Sequence, residues 1–149
     1  MRISSKKIIE QTVSETLGIL GVSGVSVEVY LVPDEVIRSL NLAWRGKNKP
    51  TNVLSFESPE GVPHPETELR HLGEIYLAPE YINNHNEDIR KLAIHGLLHL
   101  LGYDHVKSSD AKKMERIENS VFKKMGISYP LRLIFLNGEQ HHSGPRYRL

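Results

Sequence analysis

Residues 95–105 read H-G-L-L-H-L-L-G-Y-D-H and contain three of the eight histidines of the chain. His95 and His99 are four residues apart, so on an α-helix both imidazoles leave the same face, about one turn from each other. Two histidines at this spacing can bind one metal ion from a single helix. The stretch therefore predicts a helix that carries two metal ligands, and the rest of the fold is expected to pack around it.

A third ligand is predicted beyond the end of this helix. Gly102 can adopt the left-handed conformation that follows a helix, which lets the chain turn back and bring His105 toward the same point. Three imidazoles bind Zn²⁺ at about 2.0–2.1 Å and leave a fourth position for water, as in catalytic zinc sites. The spacing of His95, His99, Gly102 and His105 coincides with that of the metzincin proteases. We therefore expect one Zn²⁺ here, against the simpler interpretation of scattered, hydrogen-bonded core histidines.

Two residues near the predicted ligands differ in what they imply. Gly96 occupies the position at which zinc proteases of that type have the glutamate that serves as general base. The predicted metal ligands are therefore present, but the general base of a protease is missing. Asp104 has three interpretations. It accepts a hydrogen bond from a ligand imidazole and fixes its tautomer, it acts on water at the metal, or it only caps or forms the turn.

The helix that carries the histidines is predicted over residues 87–101. Its apolar side chains lie on nearly every side, which is typical of a buried helix. Packing would then hold the two ligands rigidly, as a metal site requires. Asn86 is the expected N-cap, with Glu87 and Asp88 in the first turn, where negative charge suits the helix dipole.

Hydrophobic periodicity and turn residues predict the other elements. Helices are expected over residues 4–19, over 33–43, and from a cap at Ser108 or Ser109 to Gly126, with Met114 and Met125 in the core. Strands are expected over 25–32, 53–56, 73–78 and 131–136, with a loop over 57–72. The order α-β-α-β-β-α-α predicts an α+β fold, a small mixed β-sheet packed by helices around a buried central metal-binding helix, as in zincin-like proteins.

Length and composition restrict the function classes. The chain has 149 residues and a net charge of +1, so we expect a single domain over 1–137, followed by a flexible tail over 138–149. The absence of cysteine excludes disulfides, thiolate ligands and cysteine nucleophiles. No apolar run approaches membrane-spanning length, so a cytoplasmic protein with no membrane partner is expected. Among the remaining histidines, His64, His71, His141 and His142 are not assigned to the site.

A second candidate region is basic. Arg45, Lys47 and Lys49 fall within five residues, among turn formers that precede the strand at residue 53. A solvated basic loop is the simpler interpretation on charge alone. With a metal site in the same domain, Arg45 offers a planar fork suited to phosphate, and the two lysines offer point charges.

Two segments carry a resemblance to a known family. Residues 44–56 read W-R-G-K-N-K-P-T-N-V-L-S-F, and they are joined to residues 95–105 by an L-G-E-I strand at 72–75. In order and spacing, from about residue 25 to 128, the chain resembles the YbeY family of bacterial rRNA-maturation endoribonucleases.

This resemblance implies a cytoplasmic, metal-dependent endoribonuclease that prefers single strands and acts in ribosome maturation and quality control. Its implied partners are single-stranded RNA and the small ribosomal subunit, above all 16S rRNA, without a nucleotide cofactor. By motif position, His95, His99 and His105 correspond to the zinc ligands and Arg45 to a functionally important arginine of the family. Lys47 and Lys49 are then candidate RNA contacts.

The chain departs from the family pattern at particular places. The family usually has aspartate at the positions of Asn52 and Glu74, and Asn52 removes a carboxylate beside the expected site. The connection over residues 79–86 is shorter than expected for the family.

Two other functions are weighed against the nuclease. A metzincin-like zinc peptidase fits the histidine spacing, but Gly96 argues against it. A non-catalytic ribosome-assembly factor with a structural metal would be favoured by a fourth protein ligand.

Overall fold

The structure, a computed structural model, describes residues 4–59, 69–103 and 107–127. These residues form an α+β fold, as predicted, with helices packed on a small mixed sheet. In chain order the elements are α1 (Ser5–Ile19), β1 (Val25–Leu31), α2 (Asp34–Arg45), β2 (Val53–Glu57), β3 (Arg70–Leu77), α3 (Pro79–Asn84), α4 (Ile89–Leu100) and α5 (Ser108–Met125).

The sheet has the strand order β1-β3-β2. β1 runs parallel to β3, and β2 runs antiparallel to β3. Within the described residues, β2 is therefore an edge strand with one neighbour in the sheet. Its side chains alternate between two helices, because Leu54 clusters with Ile37 of α2 whereas the Ser55 hydroxyl donates to the Gly96 carbonyl of α4. α2 and α4 thus pack on opposite faces of β2.

Helix α4 is central and buried, as its all-round apolar sequence predicted. Every residue from 92 to 100 is buried. Leu92 and Leu97 share a core cluster with Ile75 of the sheet, whereas Ile94 and Leu98 pack with α5. The helix therefore lies between the sheet on one side and α5 on the other. Of the two methionines predicted in the core, Met114 is buried and Met125 is half-buried.

Gly96 explains how closely α4 approaches the sheet. A Cβ built on Gly96 would lie 2.8 Å from Ser55 Oγ and 3.2 Å from Ile75 Cγ2. A glutamate at position 96 would therefore point into the sheet and displace these atoms. Gly96 replaces the general base of zinc proteases, and in this fold it allows α4 to pack closely against the sheet.

Both predicted caps of the helices around the motif were wrong. Asp88 is the N-cap of α4, and its carboxylate accepts from the Arg90 backbone N–H. Asn86 instead has a positive φ of 56° within the turn that links α3 to α4, a conformation that asparagine tolerates better than most residues. The N-cap of α5 is Lys107, without a side-chain cap, and the expected cap residues 108 and 109 lie inside the first turn of the helix.

Other boundaries also differ from the prediction. Residues 79–84, for which no helix was predicted, form the short helix α3, with proline in its first turn, where a missing N–H is tolerated. Residues 70–72, expected in a loop, extend β3 because Arg70 and His71 pair with β1. His71 therefore lies in β3, with its Nδ1 3.1 Å from Ser26 Oγ. α2 continues to Arg45, so the arginine ends a helix instead of belonging to the loop.

Several predictions fall outside the described residues. They are the strand over 131–136, the tail over 138–149, the end of the domain at 137, and His64, His141 and His142. Among the helices that the structure does describe, none combines the length and apolar character needed to cross a bilayer.

Gly96→Ala is expected to lower the free energy of unfolding by about 1–2 kcal/mol, because the added methyl must displace the Ser55 hydroxyl from its buried hydrogen bond. Gly18 near the end of α1 is the matched control, since an added Cβ there meets nothing within 4 Å. Gly18→Ala should raise the stability by up to about 1 kcal/mol through helix propensity. Urea unfolding followed by circular dichroism measures both, and stabilisation by both variants would contradict tight packing at Gly96.

Candidate metal centre

His95 and His99 come together on α4 as the spacing predicted. Their Nε2 atoms are 3.1 Å apart, and their ring centroids are 4.7 Å apart with the rings at 74°. Both residues are buried. Two imidazoles on a buried helix, with the same ring nitrogens facing each other, form the centre of the candidate site.

Glu118 of α5 orients one of these rings. His95 Nδ1 lies 2.5 Å from Glu118 Oε2, and the two side chains are 8% and 17% exposed. A neutral imidazole that donates from Nδ1 to this carboxylate has its lone pair on Nε2. That lone pair then points toward His99. A carboxylate that accepts from a histidine in this way is the usual outer partner of a metal-bound imidazole.

The geometry of the histidine pair fits a shared zinc ion. Two nitrogens that bind one Zn²⁺ at 2.0–2.1 Å with tetrahedral angles lie about 3.3–3.4 Å apart. The observed separation of 3.1 Å is close to this value. Nitrogen donors of this type also suit Zn²⁺ chemically. His95 and His99 are therefore able to hold the same ion.

Two predicted members of the metal site are not described. His105, the expected third ligand, and Asp104, the expected outer partner, lie outside the described residues. Within residues 4–59, 69–103 and 107–127, no group of three or more potential ligands comes together. The third ligand and the role of Asp104 stay predictions.

Arg45 is positioned by Asn41, one helical turn earlier. Asn41 is buried, and its Oδ1 accepts from Arg45 Nη1 at 3.5 Å. Its Nδ2 donates to the Lys49 carbonyl at 2.9 Å, and its own carbonyl accepts from the Lys47 N–H at 3.3 Å. Gly46 caps α2 in the left-handed conformation. One buried amide thus shapes the turn that carries Arg45, Lys47 and Lys49.

Asn52 has a structural role at the other end of this loop. Its Oδ1 accepts from the Val53 N–H at 2.7 Å, and its Nδ2 donates to Glu87 Oε1 at 3.2 Å. An aspartate at this position would bring two carboxylates together. The Asn52 amide can donate to the Glu87 carboxylate, and this hydrogen bond links the start of β2 to the residues that precede α4. Glu74, the other departure, is half-buried and accepts from the Tyr76 hydroxyl at 3.1 Å.

Sequence reasoning missed Glu118 and Asn41. For Glu118 a signal was present, because it falls on the apolar stripe of α5 that contains Met114, Val121 and Phe122. A carboxylate on such a stripe is rarely buried without a partner. For Asn41 no signal distinguished it from an ordinary polar residue of a surface helix.

Comparison with known proteins gives a family and relatives. The family model described as Endoribonuclease YbeY matches residues 2–126. An endoribonuclease YbeY of Nitrobacter hamburgensis is 38% identical over 138 residues, which cover 85% of this chain and 73% of that protein. One of Rhodopseudomonas palustris is 39% identical over 115 residues, which cover 72% of this chain and 60% of that protein. The chain thus spans between 60% and 73% of the length of these two relatives.

A solved structure is similar in fold. The solution structure of a Thermotoga maritima protein superimposes with a TM-score of 0.50 at 27% sequence identity. The match covers 83% of this chain and 87% of that one. The likeness supports the α+β architecture over most of the described residues.

Glu118→Ala is expected to weaken Zn²⁺ binding roughly 10- to 100-fold, because the outer partner that orients His95 is lost. Glu115→Ala is the matched control, since Glu115 is exposed on the same helix. A competition assay with a chromogenic chelator measures the affinity of each variant. Equal zinc affinities of Glu118→Ala and the parent protein would show that Glu118 does not support a metal site.

Proposed function

Because the chain belongs to the YbeY family of endoribonucleases, we propose that it cleaves single-stranded RNA with one Zn²⁺ held by His95, His99 and His105. The observation that carries the metal site is the Nε2 separation of 3.1 Å between His95 and His99, with Glu118 behind His95. His105 enters by its place in the motif alone.

The proposed chemistry is hydrolysis of a phosphodiester. A bound Zn²⁺ supplies a Lewis acid that polarises a phosphoryl oxygen and lowers the pKa of water. The protein's part is to present the imidazoles in a fixed orientation. Burial of α4 and the Glu118 contact support this, since neither ring can turn without breaking packed or hydrogen-bonded contacts.

Arg45 is proposed to neutralise charge on the phosphate. Its guanidinium can contact two phosphate oxygens at once, and such contacts stabilise charge that builds up in the transition state. Arg45 ends α2, which packs on one face of β2, and α4 packs on the other face. We therefore propose that RNA crosses the outer edge of β2, between the Arg45 turn and the histidines. Lys47 and Lys49 would contact neighbouring phosphates.

The biological role follows from the family. We propose that the chain acts in the cytoplasm on rRNA of the small ribosomal subunit, in 16S rRNA maturation and ribosome quality control. The domain over residues 1–137 would carry this activity. Asn52 and Gly96 offer no carboxylate to act as general base.

The peptidase alternative is disfavoured by packing. A metzincin-like mechanism needs a carboxylate after the first histidine, and a side chain at position 96 would meet Ser55 and Ile75. The third candidate, a ribosome-assembly factor with a structural metal, would require a fourth protein ligand to close the coordination shell. Measured zinc content together with RNA and peptide cleavage by the same preparation separates the three functions.

Arg45→Ala is expected to reduce cleavage of a defined single-stranded RNA roughly 100- to 1,000-fold, as for other residues that neutralise transition-state charge. Zinc content should be unchanged. Arg38→Ala is the control, because Arg38 is an exposed arginine of the same helix.

His99→Ala is expected to abolish both zinc binding and RNA cleavage while the circular dichroism spectrum is retained. Full activity in His99→Ala would refute the metal mechanism. Full activity in Arg45→Ala would exclude a role of Arg45 in catalysis and would not affect the proposal of a metal site.

A further inference from the structure

Trp44 is an exposed aromatic residue beside Arg45. It is the only tryptophan of the chain, and 71% of its surface is exposed. At this exposure the indole gains little from the core, and at least one face of the ring must meet solvent. Single exposed apolar residues are common on protein surfaces, so the surroundings of the ring decide whether it has a function.

The indole is supported by a row of three further rings. The Trp44 and Phe56 centroids are 5.8 Å apart with the rings at 58°, and Phe56 meets Tyr76 edge-on at 5.6 Å. Tyr76 stacks on Tyr30 at 5.0 Å. The row runs from α2 across all three strands. Contacts of this kind restrict each ring, so Trp44 is backed on one side and open on the other.

The two ends of the row differ in charge. At the far end, the hydroxyls of Tyr30 and Tyr76 donate to Glu28 and Glu74. The hydrogen bond to Glu28 raises the pKa of Tyr30 to about 12, so this phenol stays a neutral donor. These two carboxylates would repel a polyanion, and the cation at this end is Lys6, whose Nζ lies 5.6 Å from the Tyr30 ring centroid. The Trp44 end is instead followed by the three cations of the Arg45 turn.

An exposed aromatic ring next to cations has the chemistry of a single-strand binding site. The cations contact phosphates, and the ring stacks on an unpaired base of any identity. A duplex keeps its bases stacked on each other, so only a single strand can use such a ring. The three cations that follow Trp44 in the sequence favour a nucleic acid over an apolar peptide, because an apolar peptide has no phosphates for them to contact.

We propose that Trp44 is a base-stacking residue that binds an unpaired base of the RNA next to the phosphate at Arg45. The proposal deepens the proposed function and rests on it for the identity of the ligand. It predicts that binding depends on the presence of a base and not on which base is present.

The single tryptophan makes the test direct, because the intrinsic tryptophan fluorescence reports on this position alone. The protein is titrated with a short single-stranded 2′-O-methyl RNA and with an abasic oligomer of equal length and charge, while anisotropy of a labelled oligomer reports binding. The base-containing oligomer should quench the emission at saturation, and the abasic one should not. Unchanged emission with saturating 2′-O-methyl RNA would overturn the proposal.

Variants measure the contribution of the ring. Trp44→Ala should lower affinity for the 2′-O-methyl RNA roughly 5- to 150-fold, whereas Trp44→Phe should retain most of it. Leu42→Ala is the control, because Leu42 is an exposed apolar residue of the same helix. Parent-like affinity of Trp44→Ala would also overturn the proposal. Failure of the parent protein to cleave RNA would instead refute the proposed function. The binding measurements do not depend on cleavage, so they would still decide whether Trp44 stacks on a base.

Discussion

The close packing of α4 between the sheet and α5 is the constraint on which the rest of the structure depends. It is possible because Gly96 places no side chain between the helix and Ser55. Once this contact is made, the rotation of α4 about its axis is restricted, and apolar residues on its other sides complete the core. His95 and His99 are then held in one direction, so the packing of the helix determines where the candidate metal centre lies.

Burial of two imidazoles in such a helix has an energetic consequence. A buried polar group without a partner is costly, so each imidazole must find hydrogen bonds or a metal ion. Glu118 supplies the partner for His95 from a different helix. The hydrogen bond between Glu118 and His95 offsets the cost of burying the imidazole, and it also orients the Nε2 lone pair of His95 toward His99. Stability and orientation of the candidate site therefore depend on the same interaction between α4 and α5.

The proposed RNA-binding residues lie at the surface, unlike the buried histidines of α4. Arg45, Lys47 and Lys49 lie on a turn at the end of α2, where a left-handed glycine and the buried amide of Asn41 shape the backbone. Asn52 then ties the end of this loop to Glu87. Trp44 and Arg45 end α2, Lys47 and Lys49 follow in the loop, and this loop is hydrogen-bonded at both ends. Such a loop can present side chains to a flexible ligand without losing much conformational entropy on binding.

The sequence by itself determined the periodic elements, the burial of α4, the pairing of His95 with His99 and the mixed α+β order, because these depend on local spacing and on apolar patterns. It did not determine the caps at Asp88 and Lys107, the helix at residues 79–84 or the extension of β3, since those follow from turn geometry and strand pairing. Only the tertiary structure decided that Glu118 supports His95, that Gly96 faces the sheet and that Asn41 shapes the basic turn. Each of these depends on contacts between elements distant in sequence or on the path of the backbone, which no local pattern records.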